Sequence, residues 1–289
     1  MYAITVATLV GISMILTLGL NTITGLAGQI SLGHAAFFGV GAYTAAILTV
    51  TYGWSFWTAL PAACLAAGSV GTLVGVVAIR VREDFLAIAT MGVNFVAVAV
   101  FLYFPFFGGA LGIGGMPLPF EKPAYLVLVA ASVGLALAMN LWLGRSWAGL
   151  ALQAVREDEA AAAAAGVDVR KFKVVAFTIG TALAGLAGSL YAHFVGFISS
   201  GDFGFPFSIT ILCMLVLGGI GTNRGALLGA LLLGVAPEVF RPLADYRMLT
   251  YGTLLLVLMR WKPDGLLGAS GFAWRPVRRR EPERWRSSK

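Results

Sequence analysis

The sequence predicts an all-α polytopic membrane protein, with about eight or nine transmembrane or half-membrane helices, some of them short and broken. Two observations carry that prediction. Of 289 residues, 59% are hydrophobic and only 11% charged, against roughly 25% charged in soluble domains. The charges are also segregated: residues 1–79, 85–120, 123–144, 174–201 and 203–223 contain no Asp, Glu, Lys or Arg. About 20 mainly apolar residues cross the ~30 Å hydrocarbon core as a helix, and lipid satisfies no backbone group, so such stretches require a helical bundle in a bilayer.

Apolar runs between charges and turn residues place spans at 1–20, 33–50, 56–79, 85–104, 125–143, 172–198, 208–221, 225–236 and 247–260. The first run, Met1 to Leu20, lacks a basic leader and a small-residue cleavage site and reads as a retained span. A Gly-rich break follows it, and Asn21, Gln29, Ser31 and His34 cluster there. They either line a path or hydrogen-bond across helices to hold the break together. In the fourth run Thr90 and Asn94 lie one turn apart and face the same interior. The connection 105–123, rich in Gly and Pro, reads as a cap or a partly re-entrant segment. Asn140, near the end of the fifth run, reads as structural.

The sixth run carries Gly180, Ala184, Gly188, Ala192 and Gly196, a small residue at every fourth position, and Ala226, Ala230 and Gly234 repeat the pattern. Such stripes let helix backbones touch, either inside one subunit or between subunits. His193, on the same stripe, reads as a packing histidine. The tetrapeptide Gly25-Leu26-Ala27-Gly28 recurs as Gly185-Leu186-Ala187-Gly188, but in so Gly- and Ala-rich a chain an internal repeat does not follow. Between the seventh and eighth runs, Gly218 to Gly225 holds four glycines in eight residues, which predicts a turn between two short helices rather than one helix through 208–236.

Charge counts orient the chain. With that break kept, one side carries Arg80, Arg82, Arg145, Arg156, Arg170, Lys171, Lys173, Arg224 and nine cations of residues 260–289, while the other carries Lys122, Arg241 and Arg247. The positive-inside rule then makes 145–171 a cytoplasmic loop and 261–289 a basic cytoplasmic tail of a single domain, 1–289. The tail suits an anionic inner membrane surface better than a nucleic-acid groove.

Several functions are excluded. Cys64 and Cys213 lie inside apolar runs, so neither a disulfide framework nor a thiolate metal site is expected. Two histidines without ligand spacing give no metal site, and no Gly-x-x-x-x-Gly-Lys-Ser/Thr motif occurs for ATP. No cofactor is expected, and the chain is not expected to be an enzyme. A proton-driven carrier would want a carboxylate in the middle of a span, and none has one.

The loop Arg145 to Lys173 is the most informative stretch. Trp147 to Ala165 reads as one Ala-rich helix, with Ser146 as N-cap and Gly166 just past its end. Its centre is Arg156-Glu157-Asp158-Glu159, followed by six alanines. Asp168 then caps the next span. Small side chains let a helix sink into a groove on another protein while charges orient it.

Here a resemblance becomes specific. Leu150 through Ala161, then Gly166 and Ala184-Gly185-Leu186-Ala187-Gly188-Ser189-Leu190-Tyr191, resemble the permease subunits of ABC importers for branched-chain amino acids. The run Gly25-Leu26-Ala27-Gly28-Gln29-Ile30-Ser31-Leu32-Gly33-His34, continuing to Tyr43, is similar to that family's signature, as is Val216-Leu217-Gly218-Gly219-Ile220-Gly221-Thr222. The likeness is to the M-type member of the paired permeases. It implies half of a translocation pathway in a bacterial inner membrane, working with a second homologous permease, two cytoplasmic ATPases and an external solute-binding protein. Arg156, Glu157, Asp158, Glu159, Ala160, Ala161 and Gly166 would then be the coupling residues toward the ATPases. Asn21, Gln29, Ser31, His34, Thr90 and Asn94 are the path candidates. One departure stands out: Gly166 lies seven residues after Glu159, one more than in the Glu-Ala-Ala motif of other importers, and no Ile-x-x-Pro follows. A permease of the same superfamily for urea, amides, aromatic acids or sugars, or an ion-coupled carrier acting alone, remain the other readings.

Overall fold

The small-residue stripe of the sixth run decides the architecture. In the computed structural model, which describes residues 1–78, 83–239, 252, 253, 256, 260 and 265–268, that run is a 27-residue helix, α8 (Val169–Val195). Around it stand α1 (Tyr2–Leu20), α2 (His34–Val50) and α3 (Phe56–Ala78). A Cβ added to Gly188 would sit 2.2 Å from the Phe38 carbonyl oxygen, and one on Gly180 would sit 2.5 Å from that of Gly19. A Cβ on Gly185 would meet the Ala63 carbonyl at 2.6 Å. The stripe is therefore spent within the chain, on α1 and α2, while Gly185, one position beside it, brings in α3. In lipid, where the hydrophobic effect does not drive helix association, such backbone approach supplies the dispersion contact that holds helices together.

The remaining helices are α4 (Glu83–Tyr103), α5 (Lys122–Arg145), α6 (Trp147–Glu157), α7 (Glu159–Ala164), α9 (Phe205–Gly218) and α10 (Asn223–Val239). Among the described residues, five helices are long and apolar enough to cross a membrane: α1 with its extension to Leu26, α3, α4, α5 and α8. Helix α2, helix α9 and the apolar part of α10 are shorter. The run expected at 247–260 and the basic tail fall largely outside the described residues.

Each interruption has a local cause. Helix α1 loosens into a π turn, Asn21–Leu26, and Gly28, at φ +72°, then reverses the chain. Helix α2 starts not at the end of the bundle but beside Gly19, where the His34 ring lies 3.3 Å from the place of a Gly19 Cβ. From Gly19 to Leu26 the helix rises about 10 Å at 1.5 Å per residue, so residues 27–33 re-enter the bundle. Between α9 and α10 the break is real and shorter than the sequence predicted. It comprises four residues, 219–222, with Gly219 at φ +121° and Gly221 at φ +87°. The Thr222 hydroxyl accepts the Gly225 N–H at 3.2 Å and starts α10.

The 105–123 connection caps the bundle. Two 3-10 turns, Pro105–Phe107 and Gly109–Leu111, lead to a two-residue strand, β1 (Ile113–Gly114). It pairs antiparallel with β2 (Phe197–Ile198), directly after α8. Below the cap, Tyr43 stacks on Phe101 at 4.3 Å and meets Phe107 and Phe203 edge-on or tilted, each at 5.6 Å. His193 packs as the sequence suggests: its Nδ1 lies 2.8 Å from the Ser189 carbonyl oxygen and its ring stands edge-on to Phe56 at 4.9 Å. Asn140 holds the Thr22 hydroxyl at 2.8 Å.

Gly41 tests the packing argument, because a Cβ there would lie 2.4 Å from the Gly185 Cα. Gly41→Ala should destabilise the purified protein by about 1–3 kcal/mol through overpacking, seen as a lower melting temperature in detergent. Gly134→Ala in α5, with nothing within 4 Å of the added Cβ, should melt no lower than the parent, since Ala is the better helix former.

Candidate functional site

Two regions collect the polar groups: the elbow that follows α5, and the seam where the broken helices meet. The elbow begins with a cap, the Ser146 hydroxyl accepting the Gly149 N–H at 3.3 Å. Helix α6 is strongly two-sided. It buries Gly149, Ala151, Leu152 and Val155, and Leu152 packs with Leu26, Ala27, Leu143 and Ala176.

The sequence predicted a single helix from Trp147 to Ala165, and the structure corrects it. Asp158 is extended, at φ −158° and ψ 110°, and its carboxylate accepts the N–H groups of Ala160 and Ala161 at 2.8 and 3.0 Å. A short acidic side chain that can bond its own backbone favours a helix start over a helix interior, and here it outweighs the alanines that follow. The result is two helices meeting at an elbow. Gly166, at φ +86°, closes α7, with its N–H on Ala163 and that of Val167 on Ala162, both at 3.0 Å. Asp168 caps α8 as expected. The Lys171 backbone N–H, at 3.2 Å, and then the Lys171 side chain hold its carboxyl below the ordinary carboxylate range.

The acidic knob is less free than its sequence suggests. Glu159 pairs with the ammonium of Lys173, a buried lysine at the start of α8, and Asp158 is occupied as a cap. Ala162 is buried, whereas Glu157, Ala160, Ala161 and Gly166 remain exposed. Arg156 turns to the bundle, where its guanidinium donates to the Gly25 carbonyl oxygen.

At the seam, Asn21 is the pivot. Its side-chain oxygen accepts the Gly221 N–H at 2.9 Å, and its NH₂ donates to the Asn223 side-chain oxygen at 3.1 Å. The π turn and the α9–α10 turn are thereby sealed to each other. Leu266 and Leu267 add to this turn, donating their N–H groups to Leu217 and Gly218 at 2.9 Å each. Thr222 donates to the Leu267 carbonyl at 3.0 Å. The start of α2 is satisfied from elsewhere: the Ser208 hydroxyl accepts the Ala35 N–H, and the Thr90 hydroxyl that of Leu32, both at 3.0 Å.

All six residues expected around a path, Asn21, Gln29, Ser31, His34, Thr90 and Asn94, are buried. The structure does not gather them on one wall. Asn21 joins the seam, Thr90 holds the re-entrant loop, and the Asn94 amide donates to the Phe203 carbonyl at 3.2 Å. Among the described residues, Gln29 Oε1, Ser31 Oγ and Asn94 Oδ1 have no hydrogen-bond partner. Sequence reading counted Lys173 only among the boundary cations and gave Ser208 and Asn223 no role. Of those two, Asn223 alone carried a signal, a polar amide inside the predicted glycine break.

A family described as "Branched-chain amino acid transport system / permease component" matches residues 2–259. Escherichia coli K12 has a relative named high-affinity branched-chain amino acid transport system permease protein LivM, 38% identical over 91% of this chain and 69% of its own length. In Methanocaldococcus jannaschii, a probable LivM is 25% identical over 75% of this chain and 71% of its own. The LivH permease of Salmonella typhimurium is 33% identical over 46% of this chain and 43% of its own. No solved structure matches the chain.

Proposed function

The chain belongs to the branched-chain amino acid transport permease family, and on that premise we propose that it forms half of an ATP-driven import pathway for branched-chain or related hydrophobic amino acids. A second, LivH-like permease supplies the other half, two separate ATPases supply the energy, and an external binding protein delivers the substrate. The observation that carries this reading is the elbow. It presents an exposed face of alanines beside Glu157, on a loop from the cation-rich side of the chain. Methyl groups leave room for the walls of a groove on a partner, and the carboxylate orients the docked helix. The residues offered to the ATPase are therefore Glu157, Ala160, Ala161 and Gly166. Asp158 and Glu159 shape the elbow through the cap and the Lys173 pair.

The charge bias supports a cytoplasmic elbow and tail, and the likeness to bacterial permeases supports a bacterial inner membrane for the chain. The pathway runs along the re-entrant loop. Ile30 is 52% exposed there, while Gln29, Ser31 and His34 lie buried behind it. The unpartnered oxygens on Gln29, Ser31 and Asn94 are enclosed in this structure and become acceptors for a passing ammonium group only when the pathway opens, whereas Asn21 and Thr90 fix the shape of the passage. Substrate contact of this kind is weak and transient, and affinity resides in the external protein.

A cysteine at Ser146, in a background without Cys64 and Cys213, should resist an impermeant thiol reagent added outside intact cells and react once the membrane is opened. Labelling from outside would invert the orientation. Ala161→Trp tests the docking face. The residue is exposed in this chain, so expression and melting should be unchanged, while overfilling a groove costs the complex about 1–3 kcal/mol or more. ATP hydrolysis should separate from uptake, or the ATPases should be lost in detergent. A variant that copurifies with its ATPases and transports at the parental rate would refute the docking face.

A further inference from the structure

We propose that Arg156 is the positioning residue that carries movement of the elbow into the membrane domain, by gripping the seam between its two broken helices. The inference rests on the coupling reading above and deepens it.

Arg156 leaves the last turn of α6 two residues before Asp158, where the backbone becomes extended. Its guanidinium bonds to Gly25, a carbonyl near the C-terminal end of the first span. Such carbonyls lack intrahelical partners, and the helix dipole concentrates negative charge on them, so a fixed cation is held well there. The side chain is exposed on its outer side and lies against the bundle on its inner one. Its Cγ and Cβ lie 3.0 and 3.4 Å from the place of a Gly28 Cβ, and Nη1 lies 2.7 Å from that of a Gly221 Cβ. The slot is thus built of three residues without side chains.

Its walls belong to different parts of the bundle. Gly25 and Gly28 end the first span, and Gly221 belongs to the α9–α10 turn. Asn21 ties the two together through the Gly221 N–H, and the turn also carries Leu266 and Leu267. Among the described residues, the bond from Arg156 is the one side-chain hydrogen bond from α6 that reaches beyond the elbow and its flanking helices. A tilt imposed on the elbow by a docked partner therefore reaches the first span through this guanidinium as well as through the Leu152 contacts, and the α9–α10 turn through the guanidinium lying against Gly221. Its planar fork, with five donors, can pass between neighbouring carbonyls without losing its charge.

The test uses the complete importer in liposomes, with uptake and ATP hydrolysis measured separately. In Arg156→Met the stem keeps its volume and the donors are gone. The ATPases should still copurify and hydrolysis should continue, while uptake per ATP falls roughly 5- to 150-fold, the range of ordinary coupling between sites. Arg156→Lys, with charge but no fork, should fall between Met and the parent. Arg156→Gln keeps part of the stem and an amide but has neither the charge nor the fork, and it leaves the glycine backbone of the seam untouched. It should show the same split, and it decides the matter if Arg156→Met fails to accumulate.

Uptake per ATP unchanged in these variants, while Ala161→Trp uncouples, would overturn the inference and leave the docking reading standing. A parallel loss of melting temperature, hydrolysis and uptake would make Arg156 a structural cap only and would also overturn it. If Ala161→Trp itself has no effect, the docking reading fails first, and this inference with it.

Discussion

Every backbone N–H and C=O freed by a broken helix in lipid has to find its partner in protein, because leaving it bare costs several kcal/mol. Among the described residues this chain interrupts its bundle helices at 27–33 and at 219–222, and much of its polar architecture answers that demand. Asn21 covers the Gly221 amide, Thr90 the Leu32 amide and Ser208 the Ala35 amide. Leu266 and Leu267 return to cover the carbonyls of Leu217 and Gly218. Each partner comes from a distant part of the sequence, so the breaks can exist only in the folded bundle. Sealing the breaks is what ties α1, α2, α4, α9 and α10 into one framework.

Close packing follows from the same constraint. Side chains that bond across helices over about 3 Å can do so only if the backbones are near, and glycines on α8, α2 and α1 bring them near. Gly180, Gly185 and Gly188 set the distances at which α1, α3 and α2 stand. The elbow hangs from this framework at three points: the apolar face of α6 under Leu26 and Ala27, the Glu159–Lys173 pair onto α8, and Arg156 onto Gly25. The elbow is thus attached both to the rigid centre of the bundle and to its interrupted seam.

The sequence made the spans legible because charge segregation and helix length are local properties. The cap residues Ser146 and Asp168, the C-terminal Gly166 and the break after Gly218 were legible for the same reason, since each acts within a few residues. Asp158 was local too, yet good helix formers before it and six alanines after it argued for one helix, and summed propensity concealed a cap that two N–H groups decide. What remained hidden was pairing across the fold. Nothing near Asn21 announces Asn223, and nothing near Arg156 announces Gly25, because such contacts depend on how helices are arranged rather than on spacing. The path candidates show both sides. Their burial was foreseeable from polar groups in apolar runs, but their division between seam, loop and cap was not.

The central claim is that Asn21 closes one break against the other through Asn223. A double-mutant cycle of Asn21→Ala and Asn223→Ala, read by thermal melting of the purified permease in one detergent, tests it most directly. Residues sharing a hydrogen bond typically couple by about 0.5–3 kcal/mol. Each single change should lower the melting temperature, and the double variant should melt close to Asn21→Ala alone, since the bond that Asn223 makes is already gone. Fully additive losses would show that the two residues act independently and would contradict a sealed seam.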